Sequence, residues 1–400
     1  MKTKTAKDSI TTAAAEKPKS KRLLALDILR GITIAGMILV NNPGSWGHIY
    51  APLEHASWNG LTPTDLVFPF FMFIMGVSTY ISLRKYEFKP TLPTIGKILR
   101  RTVVIFFIGL AIAWLGLFLR GINSGLAVLE AATQFDTIRI LGVMPRLAIC
   151  YCAASLIAIT LRHNWLPAFV GALLVVYAII LLTGNGFAFA DTNIISIVDH
   201  KVLGPNHMYA DTIDGVRLKF DPEGLLSTLP SIAHVLIGFL MGKAIMGTKD
   251  NNIRIQDLFI VGTILTFSGF LLDFGMPINK KIWSPTFVLT TCGLASSFLA
   301  LLIWIIDIKG KKKWCRFFEV FGVNPLFLYV LGAVLSILIG FIKVPVGEGS
   351  MSLKGYIYSE LLVPLCGDDT LASLCFAISF VLVNWIIGYA LYKKKIYIKI

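Results

Sequence analysis

Long apolar runs, broken by short polar stretches, fill the chain after residue 22. Runs of roughly 20 residues match what a helix needs to cross a hydrocarbon core about 30 Å thick. They are continuous rather than alternating, which speaks for helices and against an outer-membrane barrel. Ten spans are predicted, at 24–42, 64–83, 102–119, 141–161, 165–183, 225–246, 256–275, 285–307, 318–342 and 371–392. A helix satisfies its own backbone groups in lipid. The expected fold is therefore all-α, a polytopic membrane bundle of about ten transmembrane helices. Residues 1–22, rich in Lys, Thr and Ala, read as a disordered basic tail, and 23–400 as one transmembrane domain. The run from Leu23 carries Asp27 and Arg30 and leads to no small-residue cleavage site, so it is not a secretory signal.

An even number of spans puts both termini on one side. Of the 37 Lys and Arg residues, 26 fall on the side of the termini and 8 on the other, with Arg30, Arg139 and Arg146 inside or bordering spans. The positive-inside rule makes the termini cytoplasmic. The opposite side then carries 43–63, 120–140, 184–224, 276–284 and 343–370. Long connections tend to be functional, and the 184–224 loop is placed to cover a site.

Composition agrees. The chain is 56% hydrophobic and only 15% charged, with a mean hydropathy of +0.73. A net charge of +14 could suggest nucleic acid, but the basic residues flank apolar runs, so no nucleic-acid partner is expected. Six cysteines make no disulfide framework, and the six histidines have no paired ligand spacing, so no metal is expected. P-loop, zinc-protease and serine-hydrolase motifs are absent.

The densest polar and aromatic cluster follows the first span. It holds Asn41, Asn42 and Trp46, then His55, Trp58, Asn59 and Asp65. A histidine near a carboxylate and amides can act as a general base. The competing reading is a belt of interfacial tryptophans plus a helix start capped by Thr64 or Asp65. Asp27 and Arg30 share one face of the first helix and can pair; charges inside a span usually face a cavity. Arg139 and Arg146 flank a Gly/Pro break before the fourth span. Asp221-Pro222-Glu223 looks like a helix start, with Asp221 as cap. Asn279 sits in a polar turn before the eighth span.

These clusters, in this order, resemble the heparan-alpha-glucosaminide N-acetyltransferase family of transmembrane acyltransferases. The matching residues are L-D-I-L-R-G at 26–31, H-A-S-W-N-G-L-T at 55–62, D-L-V-F-P at 65–69, R-I-L-G-V-M-P-R at 139–146, D-P-E-G-L-L at 221–226 and P-I-N-K-K-I-W-S at 277–284. Pro145 and Leu141 depart from the family pattern, and no counterpart of the family's lumenal N-terminal domain is expected. The resemblance implies transfer of acetyl from cytoplasmic acetyl-CoA to the amine of a glucosamine-type or glycosaminoglycan-derived acceptor across the membrane. It implies a bacterial inner-membrane protein, embedded in lipid, and a homodimer. It assigns His55 as catalytic histidine and Asn41 as its partner; Asp65, in the same polar cluster, is placed to orient the imidazole. Arg30, Asp27, Arg146 and Arg139 are assigned to acetyl-CoA. Trp58, Asn59, Trp46, Asp221, Glu223 and Asn279 are assigned to the acceptor. An amino-sugar or glycan transporter or flippase remains the alternative, as does a different acyl group.

Overall fold

The computed structural model describes residues 23–398; the tail expected at 1–22 lies outside them. Each predicted span coincides with helix. In chain order these are α1 (Leu24–Val40), α2 (Val67–Leu83), α3 (Leu92–Asn123), α4 (Val143–Thr160) and α5 (Leu166–Thr183). After α6 (Ile194–Leu203) come α7 (Thr228–Gly247), α8 (Asn251–Asp273), α9 (Pro285–Ile303), α10 (Cys315–Val323), α11 (Pro325–Phe341) and α12 (Asp369–Lys393). Among the described residues, eight helical stretches are long and apolar enough to cross a membrane, or nine if α10 and α11 form one bent span. The tenth predicted span is α1, whose 17 residues reach about 26 Å, a little short of the hydrocarbon thickness.

The α10–α11 bend is 86°. It falls where Pro325 supplies no N–H and disfavours helical backbone at Asn324. Asn324 is accordingly non-helical, with φ −128° and ψ 51°.

Burial separates an inner from an outer set of helices. α2, α4, α7 and α9 are each more than half buried, whereas α3 is 6% and α8 17% buried over their apolar windows. Apolar helices that stay exposed in the folded chain need lipid as their solvent. α2 packs on α7, α8 on α9, α3 on α4, and α1 on α10. The α1–α10 contact depends on Gly31 and Gly322: a Cβ at Gly31 would collide with the Phe318 carbonyl, and one at Gly322 with the Asp27 carbonyl.

The 184–224 connection is not an open loop. It contains α6 and a hairpin of β1 (Ala210–Ile213) and β2 (Val216–Lys219), antiparallel with Ala210 opposite Lys219. Asp214 and Gly215 turn the hairpin with φ of +48° and +80°, the doubly left-handed geometry that suits twisted strands. A second apolar cluster of Tyr177, Leu181, Ile195, Phe220 and Ile282 fixes this cap to the helix ends, with Trp58, Phe187 and Phe189 packed against it.

Two local expectations change. Thr62, not Thr64 or Asp65, is the cap before α2: its side chain accepts from Asp65 N–H while Asp65 accepts from Thr62 N–H, a capping box that places Asp65 at the third position. Asp221 does not cap α7, which starts at Thr228 after Ser227. Its carboxylate instead accepts from the Tyr209 and Glu223 N–H groups at 3.0 Å each.

Candidate active site

The capping box explains why Asp65 is held so firmly. One carboxylate oxygen accepts from Ala56 N–H, Thr62 N–H and Thr62 Oγ1, at 3.1, 3.1 and 3.0 Å. The other faces His55 Nδ1 at 2.7 Å. Asp65 is 1% exposed, so its only outlet for charge is this cluster. With Nδ1–H donated to Asp65, the His55 tautomer is fixed and Nε2 keeps its lone pair.

The 277–284 turn brings a further cation. Lys280 Nζ lies 3.3 Å from Asp65 Oδ1, 2.9 Å from His55 Nδ1 and 3.3 Å from Nε2. Since Nδ1–H is spent on Asp65, the ammonium's favourable contact is the carboxylate. Burial pushes the Lys280 ammonium below its ordinary value, against the pull of Asp65 and Glu223. The turn is clamped to the His55 segment by two bonds: Asn279 Nδ2 donates to Asn59 Oδ1 at 3.1 Å, and Gly60 N–H to the Ile278 carbonyl at 2.7 Å. Gly60 has φ +113°, which favours glycine.

These groups open into a cavity of about 430 Å³ whose walls include Asn41, Trp46, His55, Asp65, Tyr209 and Glu223. The Asn41 side-chain amide borders the same space. Each cation of the cavity is paired. Lys280 has Asp65, Lys281 has Asp211 at 2.5 Å, and Arg139 bridges Asp221 and Glu223 at 2.5 Å each. Burial alone would raise Glu223, but Arg139 and Arg146 hold its carboxyl below the ordinary range. Burial opposes the Arg139 charge as well, yet Glu223 and Asp221 bind its proton more tightly than usual. The cavity is thus highly charged but internally balanced.

The residues singled out in the sequence separate into three places. His55, Asp65, Asn41, Trp46, Arg139 and Glu223 line the cavity. Trp58, Asn59, Asn279, Asp221 and Arg146 stand behind it. Trp58 Nε1 donates to the Phe187 carbonyl at 2.7 Å. Arg146 is fully buried, bonded to Ser227 Oγ and to the Gly224 carbonyl at 2.9 Å, with its guanidinium 5.3 Å over the Trp283 ring. Asp27 and Arg30 lie at the other end of α1. Arg30 Nη1 donates to Asp27 Oδ1 at 2.9 Å and Nη2 to Ser78 Oγ at 2.8 Å.

Arg30 borders its own cavity of about 240 Å³, with Ser78, Arg101, Ile105, Leu147 and Pro325. From Arg30 to Asn41 is eleven residues of α1, about 16 Å along its axis. Two guanidiniums above apolar walls suit a phosphorylated group with a long apolar arm. Lys280, Lys281, Tyr209 and Asp211 also line the His55 cavity, with no spacing in the sequence that marks them as a site. Their one signal was membership of the polar turn at 277–284 and of the long 184–224 connection.

A family model described as heparan-alpha-glucosaminide N-acetyltransferase, catalytic, matches residues 22–270. Heparan-alpha-glucosaminide N-acetyltransferase of Mus musculus is 28% identical over 371 residues, 79% of this chain and 54% of the mouse protein. The Homo sapiens protein of that name is 28% identical over 366 residues, 77% of this chain and 52% of its own length. The chain therefore spans about half the length of these relatives. With the match running over well more than half of its residues, and holding both the Arg30 and the His55 ends of α1, the chain belongs to the heparan-alpha-glucosaminide N-acetyltransferase catalytic family.

Proposed function

We propose that the protein is a transmembrane N-acetyltransferase that takes acetyl from acetyl-CoA at its Arg30 end and delivers it to the amine of a glucosamine-type sugar in the His55 cavity. The observation that carries this reading is the His55–Asp65 pair, buried on the carboxylate side and open to a cavity on the Nε2 side. The matched relatives, named as glucosaminide N-acetyltransferases, support the acceptor class. The Lys/Arg asymmetry supports a cytoplasmic Arg30 end and a periplasmic His55 end.

The chemistry follows from the residues. Nε2 of His55 accepts a proton from the sugar amine as its nitrogen attacks the thioester carbonyl carbon. The new N–C bond forms and negative charge collects on the carbonyl oxygen. The Asn41 amide donates to that oxygen, a contact worth about 2.7–4 kcal/mol in a preorganised site. The C–S bond then breaks, and His55 returns its proton to the departing thiolate. Asp65 holds the tautomer throughout. Arg30 and Arg101 bind phosphate at the far end of α1, and the pantetheine arm reaches along α1 toward His55.

Asp65→Asn tests the pairing. Three donors require the amide oxygen on the Thr62 side, which turns the NH₂ toward His55 Nδ1. Nδ1 must then accept, the proton moves to Nε2, and Nε2 can no longer act as base. The expected loss in kcat is on the order of 10²–10⁴-fold, measured by acetyl transfer to glucosamine with little change in KM for acetyl-CoA. Activity within a few fold of wild type would remove the base from this mechanism.

A further inference from the structure

A groove of about 650 Å³ runs between α3 and α11, lined by Ile112, Gly116, Ile337 and Phe341 together with the polar Arg120, Asn123 and Ser336, with Trp46 on its rim. It is separate from the His55 cavity but adjoins it: Trp46 borders both. Ser336 and Ile337 also border a smaller cavity at Asn41. From Ile112 to Arg120 the α3 wall is apolar over about 12 Å, and it ends in a cation. The apolar stretch of α3 between Arg101 and Arg120 is 18 residues, about 27 Å, close to the hydrocarbon thickness. Arg120 therefore stands at headgroup depth, beside a tryptophan of the kind that marks membrane interfaces. Its Nε donates to the Gly116 carbonyl at 3.0 Å, and among the described residues no carboxylate pairs with it. All three cations of the His55 cavity, by contrast, are paired.

We propose that this groove binds an anionic phospholipid, its phosphate on Arg120 beside Trp46 and its chains along the apolar walls of α3 and α11. A glycan would find Arg120 attractive but has no use for a wall that descends about 12 Å into the hydrocarbon. A phospholipid matches both ends of the groove. Seated there, it packs against Trp46, which is also a wall of the His55 cavity, so acetyl transfer depends on anionic lipid. That functional consequence rests on the acetyltransferase reading; the binding itself does not.

The test uses the purified full chain, with phosphatidylglycerol offered against phosphatidylcholine and retained lipid counted by native mass spectrometry. Wild type should retain phosphatidylglycerol in preference. Arg120→Gln should weaken that retention roughly tenfold, as expected for losing a charge-assisted contact, and Arg120→Lys should restore much of it. Ala113→Leu supplies an independent variant: Ala113 lines the groove about two turns below Arg120, so the larger side chain fills the apolar end and should expel lipid with Arg120 intact. In vesicles, phosphatidylglycerol should raise wild-type acetyl transfer and leave that of Arg120→Gln nearly flat. Equal retention by wild type and Arg120→Gln overturns the proposal. So does displacement of the lipid by inorganic phosphate, which marks a simple ion site. So does a loss in Arg120→Gln of selectivity for anionic over neutral glucosaminides with lipid retention unchanged, which makes the groove a saccharide subsite. Absence of acetyl transfer in every lipid would instead sink the enzymatic reading, while the retention data still decide the groove.

Discussion

The His55 imidazole gains its direction from a carboxylate that has nowhere else to go. Asp65 is committed by the capping box to three donors on one oxygen and to His55 on the other. The pair was legible in the sequence, because both residues sit ten apart in one polar cluster at a helix start. Lys280 was not, because it lies 225 residues away and only the packed bundle brings it to the ring. The same holds for Arg139, whose carboxylate partners 82 and 84 residues on are invisible to local spacing. Lys280 also supplies a pH test. Burial lowers its folded-state value below that of the unfolded chain, so between the two values the unfolded state binds more protons. Stability contributed through this residue must rise with pH across that window. The melting temperature of wild type relative to Lys280→Met should therefore shift in favour of wild type as pH is raised from neutral toward the ordinary lysine range. A difference that stays flat or moves the other way contradicts the burial of a charged Lys280.

At the scale of elements, hydrophobic length located the helices well, since each predicted span holds one. What it could not show is how closely two helices approach. α1 and α10 meet through Gly31 and Gly322, whose hydrogens lie against backbone carbonyls, and this contact sets where Arg30 stands. Gly31→Ala should cost about 1–3 kcal/mol through overpacking, despite the better helix propensity of alanine. It should also raise KM for acetyl-CoA. Gly96→Ala on α3 is the control, since nothing lies within 4 Å of a Cβ there, and it should be neutral or mildly stabilising. Thermal unfolding of the two variants in one detergent checks both; equal melting temperatures would mean that α1 and α10 can part without penalty. The cap over the cavity was legible as a long polar connection, but its helix and hairpin were not. Their apolar residues, Ile195 and Phe220, make sense only against Tyr177 and Ile282 of distant segments.

Across the whole molecule, two charged cavities lie near opposite ends of α1, one with Arg30 and Arg101, the other with the His55–Asp65–Lys280 group. That separation suits a reaction whose donor and acceptor arrive from different sides of a membrane. It predicts that a cysteine placed at residue 50, in the α1–α2 connection that carries His55, reacts with an impermeant reagent only from the side opposite a cysteine at residue 87 in the α2–α3 connection. Labelling of both from one side would remove the transmembrane character of the transfer. The most direct measurement is acetyl transfer itself. Purified protein is given acetyl-CoA labelled in the acetyl group, together with glucosamine, and wild type is compared with His55→Ala of equal folded yield. General-base catalysis by His55 predicts labelled N-acetylglucosamine from wild type and a loss on the order of 10²–10⁴-fold in the variant, with acetyl-CoA binding retained. Near-normal turnover by folded His55→Ala protein would contradict it.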